Sequence, residues 1–517
     1  MKLLRYLPLL LLAVACDGKV DPKPEENAAP AVVSTSPENG VKNLTGSTLS
    51  VVFTFDQNVK CTEDARKGIT VDNGASVSEV SAYAKQLTVS LSGLSRGKSY
   101  TLSLPAGTVQ GYMTNQKASA AIQFQFSTKA LDPVPVDPTD PKDWESAAQC
   151  VVNMGVGWNL GNTLDSNSGD VENMWIEAFS NRRTSDYETA WGQPVATREL
   201  IHMFREEGFG AIRVPVTWYP HMGTVTVTKK TGSDGQQHGY WDMSTWTGYT
   251  VDAAWMARVK EVVGYVLDEG MYCILNVHHD TGTATTGWLR ADTEAYNKYK
   301  ERYVKLWEQI ANEFKDYGQR LVFESFNEML DKNGTWNSST AEAHETINKY
   351  NADFVATVRK TGGKNAYRNL ILNTYAASPQ PAALQDFKLP DDPVQGHLMV
   401  EVHSYAPYHF AFDTSTPKRE FDAACEAELK TLIEGLNTHL VSKGIPVVLG
   451  EYGTDTNDRT ETQMAKQAAC YVSNATKYNI ACFYWMRLSD GADRSVPKWT
   501  MPTLKNAILQ AYEDSRK

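Results

Sequence analysis

The stretch Leu321-Val-Phe-Glu-Ser-Phe-Asn-Glu328 decides how the rest of the chain is read. Leu321–Phe326 is an apolar run of strand length that ends on the polar pair Asn327-Glu328. Stretches of helical period flank it, Tyr296–Phe314 before and Ala341–Arg359 after, and Gly318 stands where the first of these should stop. The same alternation continues outward. Strand-like runs recur at Met154–Leu160, Ala211–Val214, Tyr272–Val277, Leu370–Asn373, Leu398–Val402, Pro446–Gly450 and Ala481–Trp485. Amphipathic stretches lie at Ala196–Glu207, Ala253–Asp268, Glu426–Val441 and Glu461–Lys477, and Gly208, Gly270 and Gly444 follow three of them. Eight strands with intervening helices over roughly 370 residues predict an α/β fold, a (β/α)8 TIM barrel across 145–517. An open doubly wound sheet is the alternative. Its phosphate turn would have to be Gly155-Val-Gly-Trp-Asn-Leu-Gly161, where Trp158 and Asn159 interrupt the cradle.

A barrel of this kind gathers its chemistry at the C-terminal ends of its strands. Those ends carry Arg213, His278-His279-Asp280, Asn327-Glu328, His403-Ser-Tyr405, Glu451-Tyr452 and Trp485. Glutamates on two different strands suit glycosidic bond cleavage. One donates a proton to the leaving oxygen, and the other attacks the anomeric carbon or activates water. Glu328 and Glu451 are that pair. Glu324 lies on the same strand face as Glu328 but deeper in the run, and is expected to be a buried structural carboxylate. His278-His279-Asp280 could bind metal, but adjacent histidines on a strand should point to opposite faces, and no third ligand at helical spacing accompanies them.

Phe323-Glu-Ser-Phe-Asn-Glu328 and Val448-Leu-Gly-Glu-Tyr-Gly453 resemble the two catalytic strands of glycoside hydrolase family 5. Further matches are Gly157-Trp-Asn-Leu-Gly-Asn-Thr-Leu-Asp165, Glu188-Thr-Ala-Trp-Gly192, Ile212-Arg-Val-Pro-Val-Thr-Trp218, Asn276-Val-His-His-Asp280 and His403-Ser-Tyr-Ala-Pro-Tyr408, in order across most of 150–490. They are most similar to the family's endoglucanase and xyloglucanase branch. The resemblance implies Glu328 as acid/base and Glu451 as nucleophile of a retaining double displacement. It implies Asn327 on the sugar 2-hydroxyl, and Arg213 and Tyr405 orienting Glu451 and keeping it ionised. It also implies His278 and His403 beside the acid/base glutamate, His279 next to them, and Trp485 as the stacking floor of the subsite at the cleaved bond. No cofactor or metal is implied. Two departures stand out: Met329 replaces the usual proline after the acid/base glutamate, and Met486-Arg-Leu-Ser-Asp490 replaces the usual continuation of the last strand.

The expected activity is therefore endo-acting, retaining hydrolysis of β-1,4-glucan-backbone polysaccharides: cellulose-like glucan, mixed-linkage glucan or xyloglucan. Endo-β-mannanase activity, a surface glycan-binding protein on an inactive barrel, and a metal-dependent barrel hydrolase are the alternatives.

The N-terminal part is organised differently. Residues 1–15 read as a signal peptide: Lys2 and Arg5 precede an apolar run too short to span a bilayer. Ala13-Val-Ala-Cys16 resembles a bacterial lipobox, which implies lipidation at Cys16. An ordinary signal peptide cut nearby is the competitor. An acidic tether follows at 16–28, similar to the export signals of surface lipoproteins in Bacteroides-like bacteria, so an outer-membrane, surface-exposed location in a Gram-negative cell is expected. Residues 29–129 alternate apolar and polar positions in short runs, such as Leu49–Phe55, Lys85–Leu91, Tyr100–Leu104 and Ile122–Phe126, which is the pattern of a small β-sandwich. Ser36-Pro-Glu-Asn-Gly40 and Phe124-Gln-Phe-Ser-Thr128 resemble bacterial Ig-like domains. The proline-dense 130–144 reads as a stiff extended linker. A net charge of −11 argues against nucleic acid as a partner. The spacings of the six cysteines after Cys16 match no zinc or CxxC pattern; Cys273 and Cys482 are expected as buried thiols, and one disulfide elsewhere is open. A monomer is expected.

Overall fold

A computed structural model of the chain describes residues 28–44, 46–112, 117–336, 340–413, 415, 418–454, 459–486 and 491–516. The signal sequence, Cys16, nearly all of the tether and the 487–490 run lie outside the described residues. The chain forms two compact units that meet in sequence at Leu131 and Asp132.

The second unit is a closed, parallel eight-stranded barrel. Its strands are β1 (Val156–Leu160), β2 (Ala211–Val214), β3 (Tyr272–Asn276), β4 (Leu321–Glu324), β5 (Leu370–Asn373), β6 (Leu398–His403), β7 (Val447–Tyr452) and β8 (Ala481–Met486). Each falls within two residues of the apolar run that predicts it. Helices Arg198–Glu207, Ala253–Asp268, Thr293–Glu313, Ala341–Lys360, Pro381–Asp386, Ala423–His439, Glu461–Thr476 and Pro502–Ser515 follow the strands in turn. The side chains of Thr197, Asp252, Asp292, Thr340 and Asp422 start five of them by accepting from first-turn N–H groups. The helix after β5 is only six residues long, too short to give a visible period.

Alternation along the strands sorts the barrel interior into layers. The lowest layer is apolar: Ala211, Ile274, Val322, Ile371, Met399, Val448 and Phe483 pack on Cys150, Val151 and Met154 of the helix Ala147–Met154 beneath them. The next inward positions are polar: Asn159, Arg213, Asn276, Glu324 and Glu401, all fully buried. One irregularity breaks the alternation. Val402 pairs with Leu449, but His403 pairs with Glu451, so Gly450 is an extra residue on β7. With Val448 facing inward, strict alternation would turn Glu451 out towards the helices; the bulge turns it into the barrel.

The proline-rich segment has no helix or strand through residues 130–140, but it is not a free spacer after Asp132. The Arg205 guanidinium donates to the Asp132 carbonyl at 2.7 Å, and Arg320 pairs with Asp137 at 3.1 Å and donates to the Pro135 carbonyl. Prolines cannot donate to a sheet ladder, but their free carbonyls accept from arginines, and that holds the segment along the barrel unit.

The first unit is a sandwich of two four-stranded sheets. One runs in the order Val32–Ser36, Thr48–Phe55, Gln86–Ser92, Ser76–Tyr83, and the other Val41–Leu44, Ile122–Thr128, Ser99–Leu104, Thr70–Val71. Leu87, Val89 and Leu91 alternate inward against Phe53, Phe124 and Phe126, which closes the core. All six cysteines after Cys16 are free thiols, and Cys273 and Cys482 are buried. Among the described residues no helix is long and apolar enough to cross a membrane.

Candidate active site

Arg213 organises the barrel mouth. It is completely buried, and such a cation must be paired. Its Nε and Nη2 donate to the two oxygens of Glu324 at 2.7 and 2.8 Å. Nη1 donates to Glu451 Oε1 at 2.8 Å and to Asn159 Oδ1 at 2.9 Å, and Nη2 to Asn327 Oδ1 at 3.0 Å. Glu401 Oε1 lies 3.3 Å from Nη2. Burial works against the charge, but Glu324, Glu401 and Glu451 together raise the guanidinium well above its ordinary value. Burial also opposes ionisation of Glu324; Arg213 outweighs it, and the Glu324 carboxyl lies below the usual range. Glu324 is thus a structural carboxylate, as its depth in the strand suggests.

The nucleophile position is held at both oxygens. Glu451 Oε1 accepts from Arg213, and Oε2 accepts from the Tyr405 hydroxyl at 2.7 Å. Glu328 stands opposite, at the end of the turn that follows β4. One carboxylate oxygen of Glu328, one of Glu451 and a ring nitrogen of His403 lie within 4.8 Å of one another. The two carboxyl groups therefore face one another across the cleft at close range.

His403 approaches both Glu328 and Glu451 through one nitrogen. Nδ1 is 2.9 Å from Glu328 Oε1 and 3.6 Å from Glu451 Oε2, while Nε2 is 2.8 Å from Glu401 Oε1. Burial alone would push the imidazole down; Glu451, with Glu328 and Glu401, reverses this and raises it to about 10. His278 is the opposite case. Burial, with the nearby cationic groups, pushes it well below its ordinary value. Its Nδ1 accepts from Asn276 Nδ2 at 3.0 Å, and its ring stacks on Trp485 at 5.7 Å between centroids and 5° between planes. Trp485 and Asn327 line the same cleft, and the oxygen of Asn327 is committed to Arg213, which leaves its NH2 as a donor.

The opposite-faces expectation for His278 and His279 does not hold, because β3 ends at Asn276 and both residues lie beyond the regular strand. Their rings are 4.5 Å apart and both line the cleft. Asp165, from the turn after β1, lies 3.7 Å from His279 Nε2 and joins the two histidines as a group of three potential donors. Its carboxylate already accepts from the backbone N–H groups of Asn162 and Thr163. Asp280 faces away from them, accepting from Trp218 N and Trp288 Nε1 at 2.8 and 2.6 Å; burial raises it to about 6.

Several residues of the site have no counterpart among the expected ones. Glu401 and Asn159 belong to the polar layer beneath the mouth. Trp336, Tyr408 and Phe412 line the cleft, which has a volume of ≈ 1280 Å³. Trp191 lies 5.3 Å from His279. Glu401 sits two residues before His403, so alternation from that histidine would have found it. The aromatics lie in loops, where no period marks them.

A closed β/α barrel with a held glutamate after β4 and another on β7, across an open cleft, is the arrangement of a glycoside hydrolase. The chain belongs to glycoside hydrolase family 5: the family described as cellulase (glycosyl hydrolase family 5) matches residues 172–490, and a bacterial Ig-like domain matches residues 26–128. Endoglucanase A of Clostridium longisporum is 33% identical over 419 residues, which cover 77% of this chain and 71% of that protein. Among solved structures, a family 5 enzyme of Prevotella bryantii, crystallised as a mutant with a xyloglucan tetradecasaccharide, is 40% identical with a TM-score of 0.61, over 71% of this chain and 99% of that one. A broad-specificity endoglucanase of Ruminococcus champanellensis with bound cellotriose is 35% identical with a TM-score of 0.60, over 71% of this chain and 98% of that one.

Proposed function

We propose that the protein is an endo-acting, retaining hydrolase of β-1,4-glucan-backbone polysaccharides, with xyloglucan, mixed-linkage glucan and cellulose-like glucan as its substrate class. The observation that carries this is the Glu328–Glu451 pair, with both oxygens of Glu451 held by Arg213 and Tyr405. A carboxylate fixed at both oxygens is pre-oriented for attack on a sugar bound in the cleft that Glu451 and Trp485 line together. Glu328, 21% exposed at its side chain, is placed to protonate the leaving oxygen. In the second step it takes a proton from the water that hydrolyses the glycosyl–Glu451 ester, and configuration is retained. A cleft of ≈ 1280 Å³ with Trp336, Tyr408, Phe412 and Trp485 along it has room for several sugars, which suits attack within a chain. The relatives described as endoglucanases and the relative solved with xyloglucan support the substrate class.

The test is Glu451→Ala, assayed on carboxymethyl cellulose, xyloglucan and barley glucan. Activity should fall by at least ~10⁴-fold on each. An undiminished variant would sink the assignment, and an inverted anomeric product from the wild-type enzyme, read by proton NMR, would sink the retaining step alone. Galactomannan in the same panel decides against or for a mannanase.

The Ala13-Val-Ala-Cys16 sequence and its acidic tether support a second proposal: lipidation at Cys16 and display at the outer membrane surface of a Gram-negative cell. Palmitate labelling lost in Cys16→Ala, with release of the protein from the membrane fraction, is the expected result. Labelling that persists would refute it.

A further inference from the structure

Beneath His403 lies a carboxyl group that the two-glutamate mechanism does not use. Glu401 is completely buried on β6, two residues before His403, and shares its inward face. Its Oε1 accepts from His403 Nε2 at 2.8 Å. Its Oε2 has no hydrogen-bond partner, and the carboxyl group neighbours that of Glu324, to which it can donate when protonated. Burial raises Glu401 to about 7, with Arg213 opposing and Glu324 assisting.

The room for this carboxyl group is provided by Gly450. A Cβ at position 450 would coincide with the Glu401 carboxyl oxygen. Gly450 is also the bulge residue that turns Glu451 inward. One glycine therefore both aims the nucleophile and opens the slot for Glu401.

The consequence concerns a proton. With Nε2–H committed to Glu401, the second proton of the imidazole can sit only on the 2.9 Å line between Nδ1 and Glu328 Oε1. Imidazolium facing carboxylate and imidazole facing carboxylic acid are the two positions of that one proton. A histidine free to turn its other nitrogen to Glu328, or to swing towards Glu451, would not keep it there.

We propose that Glu401 is a positioning residue that, through His403, holds the proton Glu328 delivers to the leaving group. This deepens the double-displacement reading and rests on it. The carboxyl, charged or protonated, performs this role through the acceptor Oε1. The groups that face the Glu401–His403 pair are Arg213 from β2, Glu324 and Glu328 from β4 and its following turn, Tyr405 beyond β6, and Glu451 from β7.

A leaving-group comparison separates this role from a structural one. A dinitrophenolate departs without a proton; the 4-hydroxyl of a glucan chain does not. On cellohexaose, Glu401→Leu should lose about 10–100-fold in kcat/KM, within the range general-acid assistance provides. On 2,4-dinitrophenyl β-cellobioside it should stay within about 3-fold of wild type. Glu401→Gln keeps an acceptor for His403 and a donor for Glu324, and should retain near wild-type kcat/KM on both substrates. Glu401→Met, which also removes the acceptor Oε1 while keeping the length of the side chain, gives the same split as Glu401→Leu and serves if that variant does not fold. Equal losses on the two substrates, no loss on either, or a Gln variant as impaired on cellohexaose as the Leu variant would each overturn the proposal. A wild-type enzyme that cleaves neither substrate would instead overturn the proposed function.

Discussion

Replacing Arg213 by Met tests the electrostatics of the mouth most directly. The guanidinium is the cation facing three carboxylates, and it makes a fork–fork contact with Glu324 at 2.7 and 2.8 Å. Methionine fills part of the volume and leaves those carboxylates unpaired. Breaking a buried pair in this way costs about 3–5 kcal/mol. The barrel unit, Asp132–Lys517, unfolds with an entropy of roughly 0.8 kcal/mol/K at ~2.1 cal/mol/K per residue, so Tm should fall by about 4–6 °C at pH 7. The sign of the pH dependence follows from Glu324. In the wild type its folded pKa is lowered, so its contribution is present above the unfolded value near 4.5 and lost as pH falls through the folded value. In the variant the same buried carboxyl is unpaired and penalises folding only where the unfolded chain would ionise it. The gap between the two proteins is therefore largest towards pH 7 and narrows as pH falls, closing only below the folded value of Glu324. Glu401, raised to about 7, is protonated through most of this window and drops out of the difference. All 13 tryptophans lie at or beyond Trp144, so intrinsic tryptophan fluorescence follows the barrel unit without interference from the sandwich. A Tm loss that is absent at pH 7, or larger at pH 4.5 than at pH 7, would refute the reasoning.

Tyr405→Phe removes one hydrogen bond to a carboxylate, about 1.5–3 kcal/mol, and should lower kcat on cellohexaose about 10–100-fold with little change in KM; a KM effect with intact kcat would place the tyrosine in sugar binding instead. Trp485→Ala removes a stacking face and should lower kcat/KM about 3–10-fold, mainly through KM, in the same steady-state assay. Asp137→Ala breaks a partly exposed ion pair to Arg320, a contribution of at most ~1 kcal/mol, so the fluorescence-detected Tm should drop by about 1 °C with activity unchanged. A drop beyond about 5 °C would mean that the proline-rich segment is part of the barrel's cooperative core.

Much of the barrel was legible because each buried parallel strand is a short continuous apolar run, and glycine or a change of period marks where it starts and stops. Leu321–Phe326 needed no partner to be recognised. The position of Glu328 and Glu451 in the cleft was legible for a related reason: a charged residue that follows such a run has to stand at the mouth. The short helix Pro381–Asp386 was not, since six residues hold less than two turns. Nor was the docking of the linker, because the arginines that hold it, Arg205 and Arg320, lie 60 or more positions away and carry no local mark.

Irregular strand ends shape the rest of the site. The alternation that would part His278 from His279 ends at Asn276, and Glu451 faces inward because Gly450 is one residue too many. Periodicity is a property of regular strand, and an active site is built where regularity stops. Glu401 shows the converse. It lies inside a regular run, and counting back two from His403 assigns it to the interior; what hides it is that a buried glutamate has no reason to exist in a barrel read strand by strand. The reason appears only across strands, where Arg213 requires anions, Glu324 supplies the bidentate one, and Glu401 both shares that cation and turns to His403. A charged residue one layer below the mouth is thus intelligible through its partners on other strands. In this barrel Asn276, two before His278, and Glu401, two before His403, each bond the histidine above them.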